Sequence, residues 1–289
     1  MEARRKLVEQ IASGTLTVAP GVYDGLTAAL AKRRDFNAAY MSGAAVAGSL
    51  GLPDLGLTSQ SEMAARVALL TGVLGDVPLI ADADTGFGDI INAVRTVQLY
   101  ERAGVSAIQL EDQMFPKKCG HLDSKEVVAP EDFQRKIEAV VEARTDDQML
   151  VIARTDALAS NGFDDAVARA KKYVDAGADI IFIEAPQTPE QIAAIPGLIP
   201  KPTLFNLVAR GKTPPVSLES LKEAGYSIVI APGLAFGAAA DAIDNALATL
   251  QSGDTDTGRQ WGPNELFRAV GLDYWDEVGK RFAAGAVGV

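Results

Sequence analysis

Short apolar runs recur along the chain. Each is followed by a polar or glycine-containing break and then by a stretch with helical periodicity. The runs are Leu16–Ala19, Ala38–Met41, Pro78–Ala81, Ala107–Leu110, Met149–Ala153, Ile180–Ile183, Thr203–Phe205 and Ile228–Ile230. Continuous apolar runs this short, bounded by breaks, read as strands buried on both faces. The stretches between them, Gly25–Arg33, Ser59–Val73, Ile91–Ala103, Pro130–Arg144, Phe163–Ala176, Thr188–Ile195 and Ser217–Ala224, carry helix-compatible spacing. Several run into glycine, as at Ala103-Gly104, Ala176-Gly177 and Ala224-Gly225, which is how many helices end. About eight strand–helix units at roughly 30-residue spacing predict an α/β fold, a (β/α)8 barrel. A doubly wound open sheet is the alternative. It more often shows a glycine-rich phosphate-binding turn after the first strand, and none is present.

Beyond the eighth run come a helical stretch around Ala238–Leu250, a polar break (SGDTDTGRQ) and a last helical stretch around Pro263–Phe282. Trp261, Phe267, Tyr274 and Trp275 concentrate there. Such a tail either packs against another subunit or caps its own barrel. With no linker-like stretch, residues 1–289 read as one barrel domain, with the C-terminal helices after about 237 as candidates for exchange between subunits.

Charge and cysteine content narrow the function. A net charge of −11 argues against general nucleic-acid binding and against adhesion to an anionic membrane. One cysteine allows no intramolecular disulfide, which fits a reducing cytoplasm. The opening MEARRKLVEQIASG reads as an amphipathic helix rather than a signal peptide, and no apolar run is long enough to span a bilayer. What remains is an enzyme or binding protein for a small molecule.

The candidate chemistry lies after the strands, where a barrel of this kind gathers its functional residues. These positions give Tyr40, Ser42 and Gly43, then Asp82 and Asp84, Glu111 and Asp112, Arg154 and Asp156, Glu184, and Asn206, with Asp54 in a glycine-rich loop after the second run. One charged strand end is ordinary solvation of the rim, but acids and an arginine at successive strand ends are a pattern. Asp82 and Asp84 are followed by Gly86 and Gly88 in ADADTGFGD. Oxygen-only ligands without nearby His or Cys favour Mg2+ or Mn2+ over zinc. Pairing of the same acids with Lys or Arg across the barrel mouth is the competing explanation. The fork of Arg154 suits either a substrate carboxylate or Glu184. After the fourth strand, EDQMFPKKCGH holds the only cysteine, Cys119, and the only histidine, His121, beside Lys117 and Lys118. A thiol near two ammonium groups can hand over or accept a proton.

These segments resemble the isocitrate lyase/phosphoenolpyruvate mutase superfamily. The resemblance is carried by YMSGAAVAGSLGLPDLGL, ADADTGFG, EDQMFPKKCGH, ARTDA and NLVARGKTP, in that order over most of the chain. KKCGH is the most specific of them, since it marks the carbon–carbon lyases and is generally lacking in phosphonomutases. The similarity is greatest to the short lyases of 2-methylisocitrate, 2,3-dimethylmalate and petal-death-protein type. It implies a Mg2+-dependent retro-Claisen cleavage of a 2-hydroxy di- or tricarboxylate. It also implies roles. Ser42, Gly43 and Ala44 hold the α-keto acid carboxylate. Asp82 binds the metal directly, and Asp54, Asp84 and Glu111 bind it through water. Tyr40 and Lys117 lie near the hydroxyl proton, with Glu111 beside them. Cys119 protonates the carbanion. Gly120, His121, Arg154, Glu184 and Asn206 line the second carboxylate or orient the inner residues. A homotetramer and a lid formed by residues 112–128 are implied as well.

Two positions depart from the family pattern: Ala44 replaces a glycine, and Ala209-Arg210 stands where an acid is expected, which brings a cation toward the substrate side. Oxaloacetate hydrolysis or decarboxylation on the same metal site, phosphonomutase activity and a non-catalytic barrel are the competing functions.

Overall fold

The computed structural model describes residues 2–118, 120, 125–258 and 260–283. Eight parallel strands close into a barrel in sequence order. They are β1 (Thr17–Val22), β2 (Ala39–Met41), β3 (Leu79–Asp82), β4 (Ala107–Glu111), β5 (Leu150–Thr155), β6 (Ile180–Ile183), β7 (Thr203–Asn206) and β8 (Ile228–Ala231). The first part of the chain contributes α1 (Glu2–Ala12), α2 (Gly25–Arg33), α3 (Gly43–Ser49), α4 (Gln60–Leu74), α5 (Ile90–Arg102) and α6 (Pro130–Ala143). Then come α7 (Leu158–Asn161), α8 (Phe163–Asp175), α9 (Pro189–Leu198), α10 (Leu218–Ala224), α11 (Leu234–Gln251), α12 (Pro263–Ala269) and α13 (Leu272–Ala283). The predicted (β/α)8 fold is therefore the observed one, and the doubly wound alternative is excluded by the pairing of β1 with β8.

Each strand buries both faces, which is why apolar runs rather than alternating patterns mark them in the sequence. Residues facing inward, among them Ala19, Tyr40, Ile80, Ala107, Ile152, Phe182, Leu204 and Ile230, fill the barrel. The opposite faces pack on the helices through Val67, Leu70, Val97, Tyr100, Phe133, Ile137 and Tyr173. Helix α1 closes the lower end: Leu7 joins the inner cluster, while Arg4 donates to the carbonyls of Glu101 and Val105 and pairs with Asp146 at 2.7 Å.

Local signals set the helix boundaries. Asp24 and Ser59 begin α2 and α4 with reciprocal capping bonds from Thr27 and Glu62. Helices α3 and α7 were not anticipated. They are too short to show a period, and both lie in the loops that follow strands. The predicted single helix at 263–282 is two, α12 and α13, because Gly271 takes φ = 100°, a left-handed conformation that helix cannot continue through.

None of the residues in α11, α12 or α13 is buried. Leu234, Ile243, Leu247 and Leu250 on α11 and Phe267, Tyr274, Trp275 and Phe282 beyond it are exposed. Helix α12 leans on α2, and Arg33 stacks on Trp261 at 5.1 Å. Among the described residues no helix is long and apolar enough to cross a membrane.

Candidate active site

The upper ends of the strands surround a cavity of about 430 Å3. Parallel register is what brings the charged residues to one level: Asp82 lies opposite Gln109 and Glu111 opposite Arg154. Tyr40, Ser42, Ala44, Asp54, Asp82, Glu111, Lys117, Gly120, Arg154, Glu184 and Asn206 all line the cavity, so most of the sequence-predicted set is gathered in one place. Asp84 joins it through Lys117, 2.7 Å away, and Gly43 through Asp82. Cys119 and His121 lie outside the described residues. Arg210, expected near the substrate, does not line the cavity and is exposed with Ala209, because the chain turns outward there with φ = 58° at Arg210.

Asp82 is held by three donors. The backbone N–H groups of Gly43 and Asp84 reach its two oxygens at 3.2 and 3.0 Å, and Gln109 donates at 3.3 Å. Tyr100 fixes the Asp82 carbonyl at 3.0 Å. The turn after β3 depends on Gly86 at φ = 89°, where a side chain would overlap Ala93. The N–H of Gly43 is thus engaged by Asp82. The Ser42 oxygen accepts from Ala45 N–H at 3.2 Å, which leaves its own proton to donate. Tyr40 donates to Gln109 at 3.0 Å, and burial followed by the charge of Asp82 pushes its phenol well above the usual range. Tyr40 is therefore a neutral donor at physiological pH.

The acids here are incompletely neutralised. Lys117 bridges Asp54 and Asp84. Burial opposes its charge, but Asp84, Glu111, Asp82 and Asp54 together hold it well above the ordinary lysine range, so it is an ammonium. Burial nonetheless raises Asp84 to about 6, and holds Glu111 well above its ordinary value despite the nearby Arg154 guanidinium. The geometry agrees. Glu111 Oε1 and Asp84 Oδ1 are buried without a hydrogen bond, Lys117 lying close to the latter but out of alignment. Glu111 Oε2 is 3.4 Å from Arg154 Nε. Asn206 donates to both oxygens of Glu184 at 3.2 and 3.3 Å and leaves its own buried Oδ1 without a partner.

Among the described residues no group of three or more His, Cys, Asp or Glu side chains is arranged to ligate a metal by itself. The donor set still fits a hard cation that keeps several waters: all its atoms are oxygen, two of them are buried without a hydrogen bond, and burial makes Asp84 and Glu111 ionise reluctantly despite Lys117 and Arg154.

A network of ion pairs behind these residues was not assigned from the sequence. Asp156 accepts both Arg154 Nε at 2.8 Å and a terminal guanidinium nitrogen at 3.0 Å, and it also accepts Lys125 at 2.7 Å. Burial works against its charge, but Arg154 and Lys125 outweigh burial and hold it at about 2. Lys125 also donates to the carbonyl of Gly120, and a side chain at Gly120 would overlap Arg154 and Glu184. Deeper still, Asp112 accepts from Thr155 at 2.7 Å, Tyr173 at 2.8 Å and the Asp156 N–H at 2.9 Å. Asp112 and Asp156 were visible as strand-end acids. Gln109 had a signal too, a polar residue inside an apolar run. Nothing in the sequence marked Lys125, which reaches Asp156 across 31 positions.

The chain belongs to the phosphoenolpyruvate phosphomutase family, whose model matches residues 8–251. It is thus a member of the wider superfamily of these mutases and isocitrate lyases. It is 48% identical over 249 residues to a 2-methylisocitrate lyase of Aeropyrum pernix, covering 86% of this chain and 80% of that one. It is 41% identical to the 2,3-dimethylmalate lyase of Eubacterium barkeri, covering 99% and 100%. Among solved structures, an oxaloacetate acetylhydrolase bound to 3,3-difluorooxalacetate superposes with a TM-score of 0.94 at 36% identity, covering 100% of this chain and 99% of that one.

The buried network generates a contrast in stability. Lys125→Met leaves Asp156 with Arg154 alone and strips the Gly120 carbonyl of its donor, and breaking a buried pair costs about 3–5 kcal/mol. Lys172→Met removes a pair with Glu131 that solvent already screens, so its unfolding midpoint should hardly move. Denaturant unfolding of the two variants checks this. Equal effects would mean that Lys125 anchors nothing.

Proposed function

We propose that this protein is a Mg2+- or Mn2+-dependent carbon–carbon lyase that cleaves a 2-hydroxy di- or tricarboxylate into an α-keto acid and a second carboxylate. The observation that carries the reading is the cluster of buried carboxylates at the cavity, Asp82 and Glu111 on its wall, Glu111 beside the Arg154 guanidinium and Asp84 behind Lys117. The lyases among its relatives support it.

Asp82, with Asp54, Asp84 and Glu111, would hold the cation. Once bound, the cation supplies Lewis-acid stabilisation of charge developing on the substrate oxygens. The chain's own residues do the rest. Ser42 donates to the keto-acid carboxylate, with the backbone N–H of Ala44 alongside, the Gly43 N–H being held by Asp82. Glu111, whose burial strengthens its hold on a proton, accepts the 2-hydroxyl proton. The C2–C3 bond then breaks: its electron pair passes to C3 and its neighbouring carboxylate, and a carbonyl forms at C2. Arg154, oriented by Asp156, faces the new negative charge, while Glu184 and Asn206 complete the wall beside Gly120. Lys117, as an ammonium, supports charge rather than removing a proton, and Tyr40, un-ionised, donates to the Gln109 amide that in turn holds Asp82. The Cys119 thiol returns a proton to C3, and residues 112–128 act as a lid over the reaction.

The likeness to oxaloacetate acetylhydrolase favours one other reading, hydrolysis of oxaloacetate on the same residues. One assay separates them: incubation of 2-hydroxy acids and of oxaloacetate with and without Mg2+, with products followed by NMR. A lyase releases keto acid from the hydroxy acids only when metal is present. Cys119→Ser should reduce its kcat by about 10²–10⁴-fold, the usual range for losing a general acid. Turnover of oxaloacetate alone, untouched by that substitution, would replace the lyase reading with the hydrolase one.

A homotetramer in the cytoplasm, with helices from α11 onward packed on a neighbouring barrel, accompanies this function. The support is the exposed apolar surface of Ile243, Leu247 and Leu250 on α11 and of Tyr274, Trp275 and Phe282 on α13. Light scattering at micromolar concentration should give four times the chain mass, and a monomer would refute it.

A further inference from the structure

The loop after β3 is clamped by a lysine that does not line the cavity. Between residues 84 and 88 the backbone is left-handed at Asp84 (φ = 48°), Gly86 (89°), Phe87 (59°) and Gly88 (144°). Side chains disfavour that region, so Asp84 and Phe87 stay in it only because the surroundings hold them there. The carbonyls of the loop show what does the holding. The Glu111 N–H donates to that of Asp84 at 3.0 Å, and the Thr96 hydroxyl lies 3.2 Å from that of Gly86. Lys136, on α6, donates to the carbonyl of Thr85 at 2.8 Å and to that of Gly88 at 2.9 Å. One ammonium thus grips the turn at both ends, from 51 and 48 positions further along the chain.

Lys136 is half-buried, and burial draws its pKa below the ordinary lysine value, with Asp89 offsetting part of that. Its bonded partners are backbone carbonyls, so its charge is spent on the course of the loop. Asp84 is where that course meets the site. Its N–H reaches Asp82 at 3.0 Å, and its carboxylate reaches Lys117 at 2.7 Å. Both directions follow from the left-handed backbone at residue 84, and the next carbonyl along, that of Thr85, is the one Lys136 holds. Gly88 lies just before Asp89, the cap of α5, so Lys136 ties the turn to α5 and α6 together.

We propose that Lys136 is a positioning residue for the cation site, keeping the β3 loop in its left-handed course so that Asp84 supports Asp82 and faces Lys117; this rests on the metal-dependent reading above. Without the ammonium, the Thr85 carbonyl loses its donor and the turn loses its tie to α6. Residue 84 is then free to relax toward ordinary backbone angles, which takes its N–H from Asp82 and its carboxylate from the cluster. The effect reaches the cation although Lys136 touches none of the acids assigned to hold it.

The test is the affinity of the full chain for Mn2+, with free Mn2+ read from its paramagnetic resonance signal and folding followed by denaturant unfolding. Lys136→Met keeps the stem and removes the donors. It should bind Mn2+ roughly 10-fold more weakly or worse, within the range of about 10–100-fold that outer partners of metal ligands carry. Lys136→Arg, whose guanidinium has donors for both carbonyls, should recover most of that loss. Lys172→Met, on the solvent-facing surface, should leave the affinity unchanged. In keto acid release, the Mn2+ concentration giving half the maximal rate should rise in the Met variant by the same factor as its dissociation constant. Lys136→Gln, too short to span both carbonyls, replaces the Met variant should that one not fold. A folded Met or Gln variant that binds Mn2+ as tightly as the unmodified protein overturns the proposal, and so does an Arg variant no better than Met. Failure of the unmodified protein to bind Mn2+ defeats the metal reading itself, and this role with it.

Discussion

Everything at the mouth of this barrel depends on carboxylates buried together with too little positive charge. Asp82, Glu111 and Glu184 reach one cavity because parallel strands deliver their ends to a single level, and Asp84 joins them through Lys117. Ionised carboxylates are costly to bury unless they are paired or hydrogen-bonded. Lys117, Arg154 and Lys125 answer part of that cost, and the backbone around Asp82 answers another part. What is left is visible in Asp84 and Glu111, which hold their protons more tightly than free carboxylates do. Buried acids that resist ionisation are poorly suited to stability alone and fit the proposed role of taking up a metal and a proton in turn.

The surrounding architecture serves this arrangement. Arg154 rests on the Phe182 ring at 5.0 Å and is gripped from the side by Asp156, so its fork points in one direction. Lys125 shares Asp156 and holds Gly120, which ties the loop after β4 to the charge cluster. Asp112, Thr155 and Tyr173 brace the same corner from behind. On the far side, Gly21 and Gly48 let Pro232 and Phe236 close in on the cavity.

Much of this was legible in the sequence for a simple reason. Barrel strands are buried on both faces and so appear as uninterrupted apolar runs, and functional residues follow them directly. Asp82, Glu111, Arg154, Glu184 and Asn206 could be read from position alone. Partnership could not. That Asp156 serves Arg154, that Lys125 serves Asp156, and that Gly43 spends its N–H on Asp82 are facts of three-dimensional approach with no periodic trace. Arg210 shows the reverse failure: adjacency in sequence placed a cation near the substrate, and a left-handed turn directs it outward. Short helices such as α3 and the break at Gly271 escaped because a period needs length to be seen.

The claim that the buried acids await a divalent cation is open to one direct measurement. Titration of the metal-free protein with Mn2+ in a calorimeter, repeated in buffers of different ionisation enthalpy, reads both affinity and protons released. One site per chain is expected, with affinity rising as pH increases through about 6 and with protons released on binding, because burial makes Asp84 and Glu111 hold their protons more tightly than free carboxylates do. Asp82→Ala should abolish the site while the barrel still unfolds cooperatively. Absence of Mn2+ binding to the intact protein, or binding that is indifferent to both pH and Asp82, would contradict the account.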